Sequence, residues 1–434
     1  MPSDHDVTAP PARRAGALGL TPGQRRTFTV LTMSKFVGNM GLRLVYPFNS
    51  DIAAGLGTSL TSVGAVLGTA ELTGLASGAI GRDLDRGRYR RWAMIGIAAV
   101  AVGGLLMGVG GGLWALGVGF AAVVFGVATV TTAAHTWIGT NVAAGARGRV
   151  MGLYETSWAF ALLIGAPVAG ALIAWWAWWT PFALIGLVAI GVGVAVARHV
   201  PPPATPAGAG HADAHRAHGA EPYGAHGAVG ARRAVMRAVR SFGADAWCVF
   251  ATSQLLTIGA VISFSTYGAW LKDRHGFSTA SVAALTLALG GVELLGSGGV
   301  AVFGDRAGLR RSVVGGSLVM AVAAVGMALA VTGSTPLAVG ATVVLFLGFE
   351  FAFVANLTLV SGTGGAARGV FVGLNHTFTT AWRGIAAAAG TAIYERWSMG
   401  PVAVATVAMA IGASLAAAAG RPRPAASAGS DPAV

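Results

Sequence analysis

The chain has 434 residues, of which 54% are hydrophobic and only 10% charged, and its mean hydropathy is +0.67. Soluble domains carry about 25% charged residues, so this composition excludes a chain that faces water on all sides. The formal net charge of +13 would fit a nucleic-acid binder if it covered one polar face; instead it is divided among segments between long apolar runs, and nucleic acid is excluded as a partner on that ground.

In chain order, residues 1–27 are polar and Pro-rich and lack the apolar core of a cleavable signal, so they read as a cytoplasmic tail. Apolar runs of about twenty residues, the length that crosses a bilayer as a helix, follow near 28–50, 60–80, 92–109, 113–139, 150–174 and 180–198. They make a first six-helix bundle over 28–198. WWAWW at 175–179 closes the fifth span with the aromatic residues that favour headgroup level. Residues 199–243 are rich in Ala, Gly and Pro and read as a flexible cytoplasmic linker. Within it His211, His215, His218 and His226 have ligand-like spacing, but a solvated stretch of biased composition explains them more simply. No metal or cofactor is expected. The basic run 232–240, with Ala234, Val235 and Val239 between arginines, predicts a short amphipathic helix on anionic headgroups, which makes membrane lipid a partner. Further spans lie near 246–270, 280–303, 312–333, 336–360, 369–394 and 399–419, forming a second bundle over 244–420 ahead of a tail at 421–434.

Most of the lysines and arginines fall in segments that alternate onto one side: the N-terminal tail, 82–91, 147–149, 198–240, 306–311, Arg368 and the C-terminal tail. Only Lys272, Arg274 and Arg396 fall opposite. This positive-inside bias predicts a multi-pass protein of the cytoplasmic (inner) membrane with both termini in the cytoplasm. The single cysteine, Cys248, excludes an internal disulfide and a Cys-based metal cluster.

The halves repeat. AELTG at 70–74 returns as VELLG at 292–296, Asp51 as Asp273, and ARGRVMGLYET at 146–156 as ARGVFVGLNHT at 367–377. Independent matches at offsets of 222, 222 and 221 residues mean duplication, and parallel six-helix repeats place a solute site near the midplane between the halves. The fold class expected is an all-α integral membrane protein with twelve transmembrane helices in two pseudo-symmetric six-helix bundles.

A charge at mid-span costs about 2.5–3.5 kcal/mol, so each needs a partner or a watery cavity. The acids are Glu71, Glu155, Glu293 and Glu350, and the bases Lys35, Arg43 and Arg383, with His376 as a titratable neighbour. Helix rise puts Arg43 about 24 Å and Glu71 about 21 Å from the cytoplasmic ends of their spans. Arg383 and Glu293 lie at a similar level, where opposite charges can pair across helices, and Arg43 is matched in depth to Glu71. Lys35, Asn39 and Arg43 recur every four residues and Tyr46 continues the stripe, so one face lines a cavity; snorkelling to the interfaces is the alternative for Lys35 and Arg43. Glu350, with Asn356 nearby, and Arg383 complete the expected cavity. Glu71, Glu155, Glu293, Glu350 and His376 are the candidates to carry a coupling proton. Glu155 and His376 occupy one slot in the two repeats, and a fixed bond to a neighbouring helix is the alternative role for each.

After the second span stand Gly81, Asp85 and Arg86 in SGAIGRDLDRGRYRR, and after the eighth Asp305, Arg306 and Gly308 in VAVFGDRAGLRR. Anchoring accounts for the arginines, but acids contribute little to orientation, so Asp85 and Asp305 need another role, such as capping a helix N-terminus. Over residues 28–420 the chain resembles the major facilitator superfamily, through its signature G-x-x-x-D-R-x-G-R-R. Arg88 stands where a second glycine is expected, and Ala301 replaces the first glycine in the other copy. The resemblance implies that these residues gate the cytoplasmic side. Within that superfamily it resembles efflux permeases of the drug:proton antiporter type, with GAPVAG at 165–170 in place of G-P-x-x-G-G and no arginine in span four. The function expected is therefore not enzymatic. It is transport of a small organic solute by alternating access, proton-coupled and outward, by a monomer. Uptake by symport or facilitated diffusion, and a non-transporting sensor, are the alternatives.

Overall fold

The computed structural model describes residues 18–80, 83–84, 86–202 and 228–420. The linker histidines, Gly81 and Asp85 fall outside the described residues. Among the described residues the secondary structure is helical throughout, with no strand. The first half contains α1 (Pro22–Arg43), the short α2 (Asn49–Leu56), α3 (Leu60–Glu71), α4 (Tyr89–Gly108), α5 (Leu113–Asn141), α6 (Ala144–Glu155), α7 (Ser157–Trp175) and α8 (Thr180–His199). After α9 (Ala228–Arg240) the second half repeats the plan. It contains α10 (Ala244–Phe264), the short α11 (Tyr267–His275), α12 (Thr279–Ala307), α13 (Leu309–Leu329), α14 (Thr335–Gly362), α15 (Arg368–Trp397) and α16 (Met399–Ala419).

Helix ends follow local chemistry. Thr21 and Gln24 form a capping box at the start of α1, where the next residue is Pro22. Ser59 caps α3 through Ser62 N–H. The short helices α2 and α11 both stop at a left-handed glycine, Gly57 and Gly276, where a side chain would be strained. Glu71 ends the α-helical part of α3, and residues Leu72–Ile80 continue as a 3-10 helix. Such tightening is uncommon over so long a stretch and marks a strained or mobile element.

Among the described residues nine helices are long and apolar enough to cross a membrane, and the bent pair Asn49–Leu56 with Leu60–Ser77 makes a tenth. The two predicted spans that fall short are α1 and α15. They carry Lys35, Asn39 and Arg43 on one side and Asn375, His376 and Arg383 on the other. Lys35, Arg43, Asn375 and Arg383 are turned inward and bonded, while lipid-facing positions elsewhere stay apolar. Val102, Leu187, Val322 and Leu415 are exposed in this way.

The apolar core falls into two large clusters, one over Leu20–Val200 that also takes in Val282 and Ala283 of α12, and one centred on α10, α13, α14 and α16 that takes in Leu60. Between them α7 packs on α12 and α3 on α15. Small residues permit this approach, as in membrane helix pairs generally: a Cβ at Gly68 would run into the Gly384 carbonyl, and one at Gly290 would meet Leu163 N at 2.8 Å. Leucine at position 384 is expected to lower transport about tenfold or more while the protein still inserts, because overpacking here wedges the halves apart without touching either core. Flux alongside yield in the membrane fraction checks this.

Candidate functional site

Two buried ion pairs join the halves, and they are reciprocal. Arg43, the last residue of α1, donates to both carboxylate oxygens of Glu293 on α12, at 2.8 and 2.5 Å. It also donates to the Trp158 carbonyl at 2.7 Å and lies 4.3 Å from the Trp158 ring centroid. Arg383 on α15 donates to Glu71 on α3 at 2.5 Å, and the Tyr46 hydroxyl donates to the other oxygen of Glu71 at 2.6 Å. Each half therefore supplies one acid and one base. The side chains are 9% and 3% exposed in the first pair and 28% and 0% in the second. Arg43 is bidentate and also bonds a backbone carbonyl, the geometry in which a desolvated pair holds, whereas Arg383 gives Glu71 a single bond and its buried Nε has no partner among the described residues.

This differs from the depth-matched partner read from sequence: Arg43 takes Glu293 of the other half, not Glu71. Depth along a span fixes one coordinate only. The azimuth of α1 turns Arg43 toward the α7–α12 seam, and Glu71 faces the α3–α15 seam instead. The acids are the duplicated pair, whereas the bases stand on non-equivalent helices.

A third cluster belongs to the first half alone. Lys35, 4% exposed, donates to Glu155 at 2.5 Å and lies 4.4 Å from the Tyr154 ring centroid. His135 Nε2 lies 2.8 Å from the other Glu155 oxygen. Lys35 is thus buried and paired rather than snorkelling. The Glu155 and His135 side chains are 49% and 42% exposed, although Glu155 stands eight residues, about 12 Å of helix, beyond Arg147. The cluster is therefore half-exposed on its acid and imidazole side and buried at Lys35. His376, in the equivalent slot, is exposed and its ring makes no hydrogen bond among the described residues. His135 is missing from the sequence reading, yet it is the single titratable residue of α5, which was a usable signal.

In the second half Glu350 is 7% exposed and accepts one hydrogen bond, from Ser297 Oγ at 2.6 Å. Ser297 lies one turn beyond Glu293 on α12, so Glu350 neighbours the Arg43 pair without joining it. Asn356 donates to Ser253 Oγ at 2.6 Å and Gln254 to Asn375 at 3.1 Å, a polar layer in which only Asn356 was anticipated. Asn39, between Lys35 and Arg43 on the stripe, is fully buried and neither amide atom has a partner in the protein.

At the end away from the arginine loops the halves are clasped. Asp51 on α2 accepts from Lys272 at 2.5 Å and from Thr279 at 2.7 Å, and Asn49 donates to the Ser265 carbonyl at 2.5 Å. Glu395 on α15 accepts from Leu60 N–H at 3.3 Å and Thr61 N–H at 2.9 Å. A carboxylate from one half thus caps a helix N-terminus of the other. The duplicated acid Asp273 instead accepts from Tyr394 within its own half.

At the arginine-rich end bonds within a half are prominent. Asp83 gathers Arg86 at 3.6 Å, Arg88 at 3.0 Å and Arg91 at 3.7 Å, and accepts from Trp92 at 3.2 Å. Arg310 pairs with Asp245. Of the gate residues read from sequence, Arg86 is therefore held by Asp83 of its own loop. Arg306 is exposed, and Gly308 has φ 83° where α12 gives way to α13. Asp305 lies in the last turns of α12, and its side chain falls outside the described residues.

The family model described as the Major Facilitator Superfamily matches residues 31–387. No curated relative matches the chain by sequence. Solved structures do match. A bacterial homologue of the human lysosomal transporter Spinster, inward-facing and unoccupied, aligns with TM-score 0.71 and 15% identity over 94% of this chain and all of that one. A D-xylose–proton symporter gives 0.68 and 15% over 92% and 98%, and the peptide transporter POT 0.69 and 17% over 93% and 96%. At such identities the likeness carries the fold alone. The family match covers most of the chain, and with the duplicated helical plan it shows that this protein belongs to the Major Facilitator Superfamily, whose members are membrane transporters and not enzymes.

Proposed function

We propose that the protein exports a small organic solute across the cytoplasmic membrane by alternating access, driven by protons that enter through Glu350. The positive-inside bias assigns the arginine-rich end and both termini to the cytoplasm. With the far end clasped and Glu155 and His135 half-exposed, we read the conformation as inward-facing. The outward direction rests on the sequence resemblance to efflux permeases.

The observation that carries proton coupling is the pairing of the four acids within the spans. Glu71, Glu155 and Glu293 each hold a cationic partner, whereas Glu350 holds only the Ser297 hydroxyl. Protonating a paired acid leaves a buried base uncompensated; protonating Glu350 breaks no ion pair. A charged Glu350 competes with Glu293 for Arg43, and its protonation returns Arg43 to Glu293. Proton binding on one side of the seam thereby biases the closure of the other. The substrate is placed among Lys35, Asn39, Arg43, Tyr46, Asn356 and Arg383.

The test uses inside-out vesicles with an imposed pH gradient and a solute screen. Glu350→Gln is expected to abolish gradient-driven accumulation while solute exchange at equal pH continues. Full gradient response in that variant would remove Glu350 from the coupling, and accumulation only in right-side-out vesicles would reverse the direction.

A further inference from the structure

We propose that the linker helix α9 and the ends of α10 and α15 form a binding site for one anionic phospholipid of the inner leaflet, with its phosphate on an arginine stripe and an acyl chain in an apolar groove. Arg233, Arg237 and Arg240 recur at intervals of four and three, which stacks them on one side of α9. All three are exposed, and none makes an ion pair among the described residues. Three adjacent unpaired guanidinium groups repel one another, so the stripe lacks an anion that the described residues do not supply. A phosphodiester answers that need, because arginine matches phosphate oxygens with two donors.

On the neighbouring side of the same helix, Val235, Met236 and Val239 face Trp247, Phe250 and Phe378 across a groove of about 480 Å³ whose lining is wholly apolar. That volume is within the range of about 300–1,000 Å³ typical of small-molecule sites. Its floor is an aromatic row with ring centroids 5.6 Å apart between Trp247 and Phe250 and 5.5 Å between Phe250 and Phe378. The C-terminal end of α9 is fixed to the bundle through Val239 and Phe242 against Phe371. The groove therefore has a rigid end, while Met236, Trp247 and Phe378 remain 48%, 39% and 43% exposed.

Depth selects the occupant. Trp247 and Phe250 lie in the first two turns of α10, within about 10 Å of its start, where headgroups give way to acyl chains. A free anion would fill the stripe and leave the groove wet, and a zwitterionic lipid would fill the groove while bringing its own cation to the arginines. An anionic diacyl lipid satisfies both.

The test places the full-length protein in phosphatidylcholine nanodiscs with rising fractions of dibrominated-acyl phosphatidylglycerol, or of the same acyl chains on phosphatidylcholine. Bromine quenches indole on contact, and the emission of Trp247 is taken as the difference between the wild type and Trp247→Phe. Half-quenching by the anionic lipid is expected at a fraction on the order of a hundredfold lower than by its zwitterionic counterpart, as three interfacial arginines at roughly fivefold each imply. Replacing Arg233, Arg237 and Arg240 together by glutamine is expected to bring the two curves together. These side chains are exposed, so folding is preserved, and solute exchange serves as the control. Equal quenching by both lipids in the wild type, or an undiminished preference in the triple variant, would overturn the site.

Discussion

Replacing Arg43 by alanine is expected to abolish solute transport and to lower stability by about 3–5 kcal/mol, the cost of stripping one partner from a buried pair. The variant leaves Glu293 almost without solvent and removes the bonds to Trp158 as well. Glu293→Ala does the converse and strands a buried guanidinium. The distinguishing measurement is a double-mutant cycle of Arg43→Met, Glu293→Gln and the two combined, by thermal unfolding in detergent. Arg43→Met combined with Glu293→Gln should recover most of the lost stability, since removing both charges leaves nothing uncompensated. Transport should remain lost in that double variant, because without Arg43 no cation is left for which Glu350 can compete. If the double variant is as unstable as the single ones, the pair is not what holds α1 to α12 at this level.

The second large effect concerns the clasp at the far end. Asp51→Asn together with Glu395→Gln is expected to shift the protein toward the state open at that end. Asp51 binds Lys272 and Thr279 across the seam, and Glu395 supplies the acceptors for the α3 N-terminus. Partly exposed contacts of this kind contribute modestly, and about 1–2 kcal/mol for the set corresponds to a population shift of roughly five- to thirtyfold. Thr391 is 1% exposed and packs against Gly64 in the same seam, so it reports closure. In a Cys248→Ser background, labelling of Thr391→Cys by a membrane-impermeant maleimide should rise by that factor in the double variant. Unchanged labelling would mean that packing along the glycine seam alone closes this end.

These two predictions rest on different layers of information. The acids and bases of the first were legible because a charge inside an apolar run is conspicuous by its cost. Equal depth was legible too, because helix rise is constant. The choice of partner was not: Arg43 lies at the depth of both Glu71 and Glu293, and only the rotation of α1 relative to α7 and α12 sends it across the seam. The Lys35–Glu155–His135 cluster shows the same limit. Its members come from α1, α6 and α5, and no spacing in the chain links them. The clasp escaped the sequence reading for another reason. Asp51 and Asp273 are equivalent by duplication, yet one bridges the halves and the other bonds Tyr394 within its own.

What the amino-acid sequence determined by itself was the membrane solvent, the helical spans, their duplication and the family signature. Each of these is set by local hydrophobicity or by repetition along the chain. The tertiary structure alone decided which buried charges neutralise one another, which acid is left with only a hydroxyl, and which end is closed. Those depend on the azimuth and contact of helices far apart in the chain, where a shift of one helical face exchanges an ion pair for an orphaned charge.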